Sequence, residues 1–139
     1  MTLRLEFAPI DARFALALLP RGSALPEWAA GPFVAIIKSA EGVSVICEES
    51  ALPAGTNARI GFSCLEIAGT FDIESVGVVY AAVQPLAAAG ISVFVYSTWQ
   101  TDYIFFQNSD LERAFSALKQ AGHTIHAPRG VSSNIDAGA

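Results

Sequence analysis

Apolar and polar positions alternate with different periods along the chain, and the clearest pattern lies near its centre. Residues 91–97 and 102–106 are rich in β-branched and aromatic types, which fit a pleated, half-buried surface. The four residues between them, Thr98 to Thr101, have the length of a hairpin connection. The pattern therefore predicts an antiparallel hairpin with a polar tip at one end of a sheet, with Ser97 and Asp102 at the base of the tip.

The first half of the chain is predicted to consist mainly of strands. Apolar runs cover residues 13–19, 32–40, 43–49 and 60–68, and each ends near Pro, Gly or a polar break. Gly42 suits a tight turn between the second and third of these runs. Residues 50–58 contain Pro53, Gly55 and Asn57 and are typical of an irregular loop, so we expect a module boundary in this part of the chain.

Residues 74–90 change to the helical period. Their apolar residues recur every three or four positions, which places them on one helix face: Val76, Val79, Val83 and Leu86. Glu74 and Ser75 suit the start of this helix, and Gly90 suits its end. Pro85 lacks an amide and crowds the preceding turn, so we expect either a bend or a helix that begins later.

Residues 109–121 form the second predicted helix. Ser109 and Glu112 have the spacing of a capping box, and Gly122 is placed for a left-handed C-terminal cap. The predicted buried stripe consists of Leu111, Phe115 and Leu118. A short edge strand is expected at residues 123–127.

The second half thus has the order strand, helix, strand, strand, helix, strand. This order predicts an α+β, ferredoxin-like fold with two helices on one face of an antiparallel sheet. The strands of the first half could repeat the same plan in abbreviated form. We therefore predict an abbreviated half at residues 1–62, a complete βαββαβ domain at residues 63–127 and a flexible tail at residues 128–139.

Composition narrows the function classes. Hydrophobic residues make up 53% of the chain and charged residues only 15%, so we expect a partner to cover some apolar surface, most simply in a homodimer. A net charge of −5 with eight Lys and Arg argues against nucleic-acid binding. No apolar run is long enough to span a membrane, and the N-terminal residues do not resemble a signal peptide, so a cytoplasmic location is expected.

No catalytic constellation is recognisable. The serines lack a neighbouring His and carboxylate partner, and no glycine-rich phosphate loop is present. His123 and His126 have no further ligands at usable spacing, so neither a metal nor a cofactor is predicted. Cys47 and Cys64 are expected to be reduced and partly buried, because they lack CxxC spacing.

The segments ESVGVV, PLAAAG, GISVFVYSTWQTD and SDLERAFSALKQAGH together resemble the ACT domain. The resemblance covers residues 64–125 closely and residues 1–63 loosely. In these segments the chain is similar to small stand-alone bacterial proteins with two ACT-like halves, to the cytosolic arginine sensors of animals and to the regulatory domains of aspartate kinases. The resemblance has implications for fold and function. It implies a βαββαβ fold, side-by-side pairing of domains and binding of a small effector, usually an amino acid, at an interface between domains or subunits.

The resemblance also implies where the ligand would bind. One wall would be the loop into the first helix, formed by Ile73, Glu74, Ser75, Val76, Gly77 and Val78. The other would be the hairpin tip, with Thr98, Gln100, Thr101 and Asp102. Relatives commonly have Tyr where this chain has Trp99, and the first half lacks a matching Gly-containing helix start.

Each of these residues also has a simpler interpretation. Glu74 and Ser75 could merely cap a helix, Asp102 could close a turn, and Trp99 could lie in a dimer contact. The leading hypothesis is a non-catalytic regulatory protein that binds an amino-acid-like effector. The alternatives are a protein-interaction module of the same fold without a ligand, for example one that pairs with a biosynthetic enzyme, and an enzyme that uses Asp102 and Glu74 as acid and base.

Overall fold

In the second half of the chain, the strands and helices follow one another in the order that the sequence predicts. This architecture is taken from a computed structural model, which describes residues 3–68 and 75–128. The strands and helices are β1 (Glu6–Pro9), β2 (Phe14–Leu19), β3 (Ala35–Ser39), β4 (Gly42–Glu48), β5 (Ala58–Ile67), α1 (Val78–Ala88), β6 (Phe94–Ser97), β7 (Asp102–Gln107), α2 (Leu111–Gln120) and β8 (Thr124–Ile125). Among the described residues, neither helix is long and apolar enough to cross a membrane.

The described residues group into two compact units. Unit 1 comprises residues 3–11, 63–68 and 75–128, and unit 2 comprises residues 12–62. The division into domains at residues 1–62 and 63–127 stays a prediction, and the predicted tail lies outside the described residues except for Pro128.

Unit 1 carries the mixed α+β architecture of an ACT fold. Its strands are paired in the order β6, β7, β5, β1, β8. Alternate residues of these strands share one core with both helices, so α1 and α2 lie on the same face of the sheet. The core residues in or next to these strands are Leu5, just before β1, and Phe7, Leu65, Ile67, Ile104 and Phe106. The predicted order of strands and helices is confirmed.

Strand β1 is an element that our sequence analysis did not predict. It pairs antiparallel with β5 and parallel with β8, so it separates the first and last strands of the predicted βαββαβ unit. The sequence does contain a strand pattern here, because charged Arg4 and Glu6 alternate with apolar Leu5 and Phe7. In the structure the two charged residues are exposed and the two apolar ones are buried. A run of so few alternating residues is a weak signal until a partner strand is known.

Unit 2 is the abbreviated, strand-rich part of the chain. Strands β3 and β4 form the predicted hairpin around Gly42, and β2 pairs with both β4 and the first residues of β5. A Cβ at Gly42 would lie 2.4 Å from the carbonyl oxygen of Leu19, so only glycine fits this turn. Residues 12–62 contain no α-helix, only a short 3₁₀ turn at Glu49–Ala51.

Both cysteines are free thiols and lie in the interior. Cys47 belongs to the core of unit 2, and Cys64 is almost fully buried in unit 1. Burial raises the pKa of each thiol, and the nearby Glu66 raises the pKa of Cys64 further. The expectation of partly buried thiols therefore understates their burial, and both are held in the neutral, unreactive form.

Helix α1 begins at Val78 rather than at Glu74, as the difficulty with Pro85 led us to expect. Its N-cap is Gly77, with φ of 85°, and no side chain caps it. The predicted buried face is wrong in part: Val76 precedes the helix and is 91% exposed, and Val79 is 39% exposed. The residues that the helix buries are Val78, Ala82, Pro85 and Leu86. The hydrophobic pattern gave little weight to Ala82, although this small residue lies at the centre of the buried face.

Helix α2 also begins without the predicted cap. Its N-cap is Asp110, and neither Ser109 nor Glu112 forms a capping box, because a 3₁₀ turn at Asn108–Asp110 leads into the helix. The predicted C-terminal cap is confirmed. Gly122 has φ of 95° and donates to Lys119 O, while His123 N donates to Leu118 O, the pattern of a Schellman motif.

The cap at Gly122 positions His123 to join three elements of unit 1. The amide of Leu5 donates to His123 Nδ1 at 3.0 Å, so the ring proton lies on Nε2. His123 Nε2 then donates to the carbonyl oxygen of Ala81 at 3.0 Å. In a helix this oxygen would accept from residue 85, which is proline and has no amide. The imidazole therefore satisfies the acceptor that Pro85 leaves without a helical donor.

A double-mutant cycle tests whether His123 replaces the hydrogen-bond donor that Pro85 lacks. His123→Ala should lower the free energy of unfolding by about 2–4 kcal/mol, because it leaves a buried donor and a part-buried acceptor unsatisfied. In a Pro85→Ala background the cost should be smaller by about 1 kcal/mol, because residue 85 then donates to the Ala81 carbonyl. Urea denaturation measures both costs.

The matched control is His126→Ala. His126 forms only an exposed pair with Glu6, and its loss should cost less than about 1 kcal/mol. Equal costs for His123→Ala in the two backgrounds would contradict the role assigned to the Ala81 carbonyl.

Candidate functional site

A cleft of about 370 Å³ lies in unit 1 between the start of α1 and the tip of the β6–β7 hairpin. Its volume is within the roughly 300–1,000 Å³ range of small-molecule sites. The residues that line it come from two segments far apart in sequence: Ser75, Gly77, Val78, Val79 and Tyr80 from the first, and Ser97, Thr98, Trp99, Gln100, Thr101 and Asp102 from the second.

The hairpin connection has the four residues that the sequence predicts, and a hydrogen bond within it makes a tight turn. Thr98 N donates to Thr101 O at 2.8 Å, which leaves only Trp99 and Gln100 at the turn. Trp99 is 95% exposed. Ser97 pairs with Asp102 across the strands, and Ser97 Oγ donates to Asp102 Oδ1. The carboxylate therefore lies in a defined position at the mouth of the cleft.

Thr101 fastens the tip to the central strand. Its side chain is buried, and Thr101 Oγ1 donates to the carbonyl oxygen of Ile67 at 2.6 Å. Ile67 is the last residue of β5, the strand that precedes the first wall. This hydrogen bond holds the second wall next to the end of β5.

The opposite wall is the first turn of α1. Gly77 adopts the left-handed conformation, which a side chain would strain, and its carbonyl accepts the first helical hydrogen bond from Ala81 N at 2.9 Å. Helix geometry leaves the amides before Ala81 without an intrahelical acceptor. Together with the positive end of the helix dipole, these amides favour an anionic group in the cleft.

The side chains of the cleft combine one charge with two aromatic surfaces. Asp102 is the single ionisable acid or base among the described residues that line it, apart from the Tyr80 phenol. Tyr80 and Trp99, which are 70% and 95% exposed, both line the cleft and supply aromatic surface. The remaining polar groups are hydroxyls and one amide. Among the described residues, no group of three His, Cys, Asp or Glu could hold a metal ion.

The structure brings most of the sequence-predicted site residues together. Seven of them line the cleft: Ser75, Gly77, Val78, Thr98, Gln100, Thr101 and Asp102. Val76 does not; it borders a separate cavity of about 380 Å³ that also contacts His123. Ile73 and Glu74 lie outside the described residues. A ligand-binding role for any of these residues stays a prediction.

Four lining residues were missing from the sequence-based site: Val79, Tyr80, Ser97 and Trp99. Val79 was assigned to the buried face of a helix starting at Glu74, and Tyr80 was given no role. Both belong to the first turn of α1 because the helix begins at Val78. The left-handed Gly77 was the available signal, since a glycine before an apolar helical run also marks a helix start.

The anchoring role of Thr101 predicts a specific loss of stability. Thr101→Val keeps the side-chain shape but removes the donor to the buried Ile67 carbonyl, and should lower the free energy of unfolding by about 1–3 kcal/mol. Thr98→Val is the control, because Thr98 is exposed and should cost less than about 1 kcal/mol. Urea denaturation of both variants is the measurement, and equal losses would contradict the anchor.

Several solved structures are similar in fold to this chain. A protein from Agrobacterium tumefaciens is 29% identical, with a TM-score of 0.86 over 92% of this chain and 96% of that one. A Vibrio cholerae protein of unknown function is 24% identical, with a TM-score of 0.69 over 84% and 89% of the two chains. The ligand-free regulatory subunit of aspartate kinase from Thermus thermophilus is 14% identical, with a TM-score of 0.59 over 83% and 96%.

Comparison with sequences gives one family and no curated relative. No curated protein matches the chain significantly. The family model for the ACT domain matches residues 57–120, which include both walls of the cleft. The ACT fold of unit 1 agrees with this match to the ACT domain family.

Proposed function

We propose that the chain is a non-catalytic regulatory protein that binds a small amino acid or a similar effector in the cleft. The observation that carries the proposal is the meeting of Ser75–Val78 and Ser97–Asp102 in one cavity of suitable size. The ACT domain at residues 57–120 supports a regulatory role. Regulatory subunits of aspartate kinase have the same fold, which agrees with this role.

The two walls offer complementary chemistry to a zwitterion. Amides in the first turn of α1 bind a carboxylate, as helix starts do in other proteins. Asp102 pairs with the ammonium group, and such a charge-assisted hydrogen bond is stronger than a neutral one. Its bond from Ser97 Oγ leaves further acceptor capacity on the carboxylate. Thr98 and Gln100 supply neutral hydrogen-bonding groups beside it.

A thermal-shift screen with the free amino acids tests the proposal. A ligand that binds only the folded state raises the melting temperature by mass action, by about 2.7 kcal/mol of stability at one hundred times its Kd. At least one amino acid at millimolar concentration should therefore stabilise the protein. Asp102→Ala should weaken that binding by about tenfold or more while the unliganded melting temperature stays close to that of the wild type.

Glu112→Gln serves as the control for loss of one negative charge, because Glu112 is exposed on α2 and does not line the cleft. It should bind the ligand as the wild type does. If no amino acid stabilises the wild type, the proposal is wrong. If Asp102→Ala lowers stability and spares binding, Asp102 is a turn residue only.

We also propose that a second copy of the chain covers the rim of the cleft. Val76, Tyr80 and Trp99 are large apolar side chains that solvent contacts over most of their surface, and all three lie at the start of α1 or the hairpin tip. Exposed apolar clusters of this kind mark interaction sites. The same rim favours the second candidate function, a protein-interaction module without an effector, in which the partner is another protein such as a biosynthetic enzyme.

Sedimentation equilibrium tests the homodimer. The wild type should self-associate, and Trp99→Ala should raise the dimer dissociation constant by about tenfold or more, because buried Trp residues dominate interface energies. Leu25→Ala is the matched control, since Leu25 is a comparably apolar exposed residue in unit 2. A wild type that stays monomeric contradicts the homodimer, and self-association without any amino-acid binding favours the interaction module.

A further inference from the structure

We infer that the cleft selects amino acids whose side chain carries no negative charge, and that Asp102 is the residue that sets this selection. The inference rests on the proposed function, because it concerns which effectors enter the same site. It begins from the distribution of charge along the chain.

The two walls lie within a long stretch without basic residues. From Ile60 to Glu112 the sequence contains no Lys, Arg or His, while it contains six acidic residues: Glu66, Asp72, Glu74, Asp102, Asp110 and Glu112. All described lining residues lie between positions 75 and 102. Among these described residues, a side-chain carboxylate of a ligand would therefore meet no cationic side chain.

The positive potential of the cleft can stabilise only one anionic group of a ligand. It comes from the first turn of α1, and it falls off within that turn. The α-carboxylate of an amino acid occupies it. A second carboxylate on the ligand then lies against Val79, Tyr80 and Trp99, which offer apolar and aromatic surface, or among the neutral polar groups beside Asp102, which repels it. An acidic amino acid is disfavoured in both positions.

Uncharged and cationic side chains meet no such penalty. Neutral side chains can pack on Tyr80 and Trp99, and cationic ones are attracted both to the ring faces and to the Asp102 carboxylate. The net charge of −5 adds a weak general preference in the same direction. Selection against a ligand by an unfavourable charge is a common source of specificity.

The experiment compares affinities by calorimetry in the wild type and in Asp102→Asn. The reference ligand is whichever amino acid with an uncharged or cationic side chain binds tightest in a screen of all of them. The wild type should bind it about tenfold tighter or more than aspartate or glutamate. Asp102→Asn should weaken the reference ligand and reduce its advantage over the acidic ligands at least several-fold, because the repelling charge is gone.

The isosteric ligand pairs glutamine with glutamate and asparagine with aspartate show whether charge alone is responsible. Glu112→Gln, which removes an acidic charge outside the cleft, should leave every ratio unchanged. Binding of aspartate or glutamate as tightly as the reference ligand overturns the inference and leaves the proposed function standing. An unchanged ratio in Asp102→Asn overturns the role of Asp102, whereas the absence of binding by any amino acid overturns the proposed function itself.

Discussion

The structure of unit 1 depends on one imidazole that replaces a missing helical hydrogen bond. Pro85 leaves the Ala81 carbonyl without its helical donor, and His123 donates to that carbonyl while it accepts from Leu5. The ring thereby connects α1, the strand region that begins with Leu5 and the segment that follows α2. Since an acceptor shielded from water and left without a donor is costly, the histidine offsets the hydrogen bond that the proline removes.

This arrangement determines where the cleft forms. With α1 held against the sheet, its first turn lies next to the end of β5, where Thr101 also fastens the hairpin tip. The left-handed Gly77 begins the helix there without a capping side chain. Among the described residues no side chain caps these helix amides, in contrast to the role that the sequence pattern assigned to Ser75. A ligand in the cleft would take the position that a capping side chain takes in other helices.

The side chains that line the cleft suit the binding of a small ligand. The cleft contains hydroxyls, one amide, two aromatic rings and the Asp102 carboxylate, which Ser97 orients. Such groups can hold a zwitterion and discriminate among side chains by charge and shape. Under the proposed function, the large exposed side chains at its rim, above all Trp99, would serve both ligand binding and association of a second chain.

The sequence by itself determined the order of strands and helices in the second half, the glycine caps and the hairpin whose tip forms one wall, because each of these follows from local periodicity or from backbone conformation. The tertiary structure alone decided the place of β1, the phase of α1 and the partner of Pro85. The hydrogen bond from Leu5 to His123 spans 118 positions in the sequence. Local patterns indicate that a residue is buried but not which distant group it meets, and it is those distant meetings that bring the two walls of the cleft together.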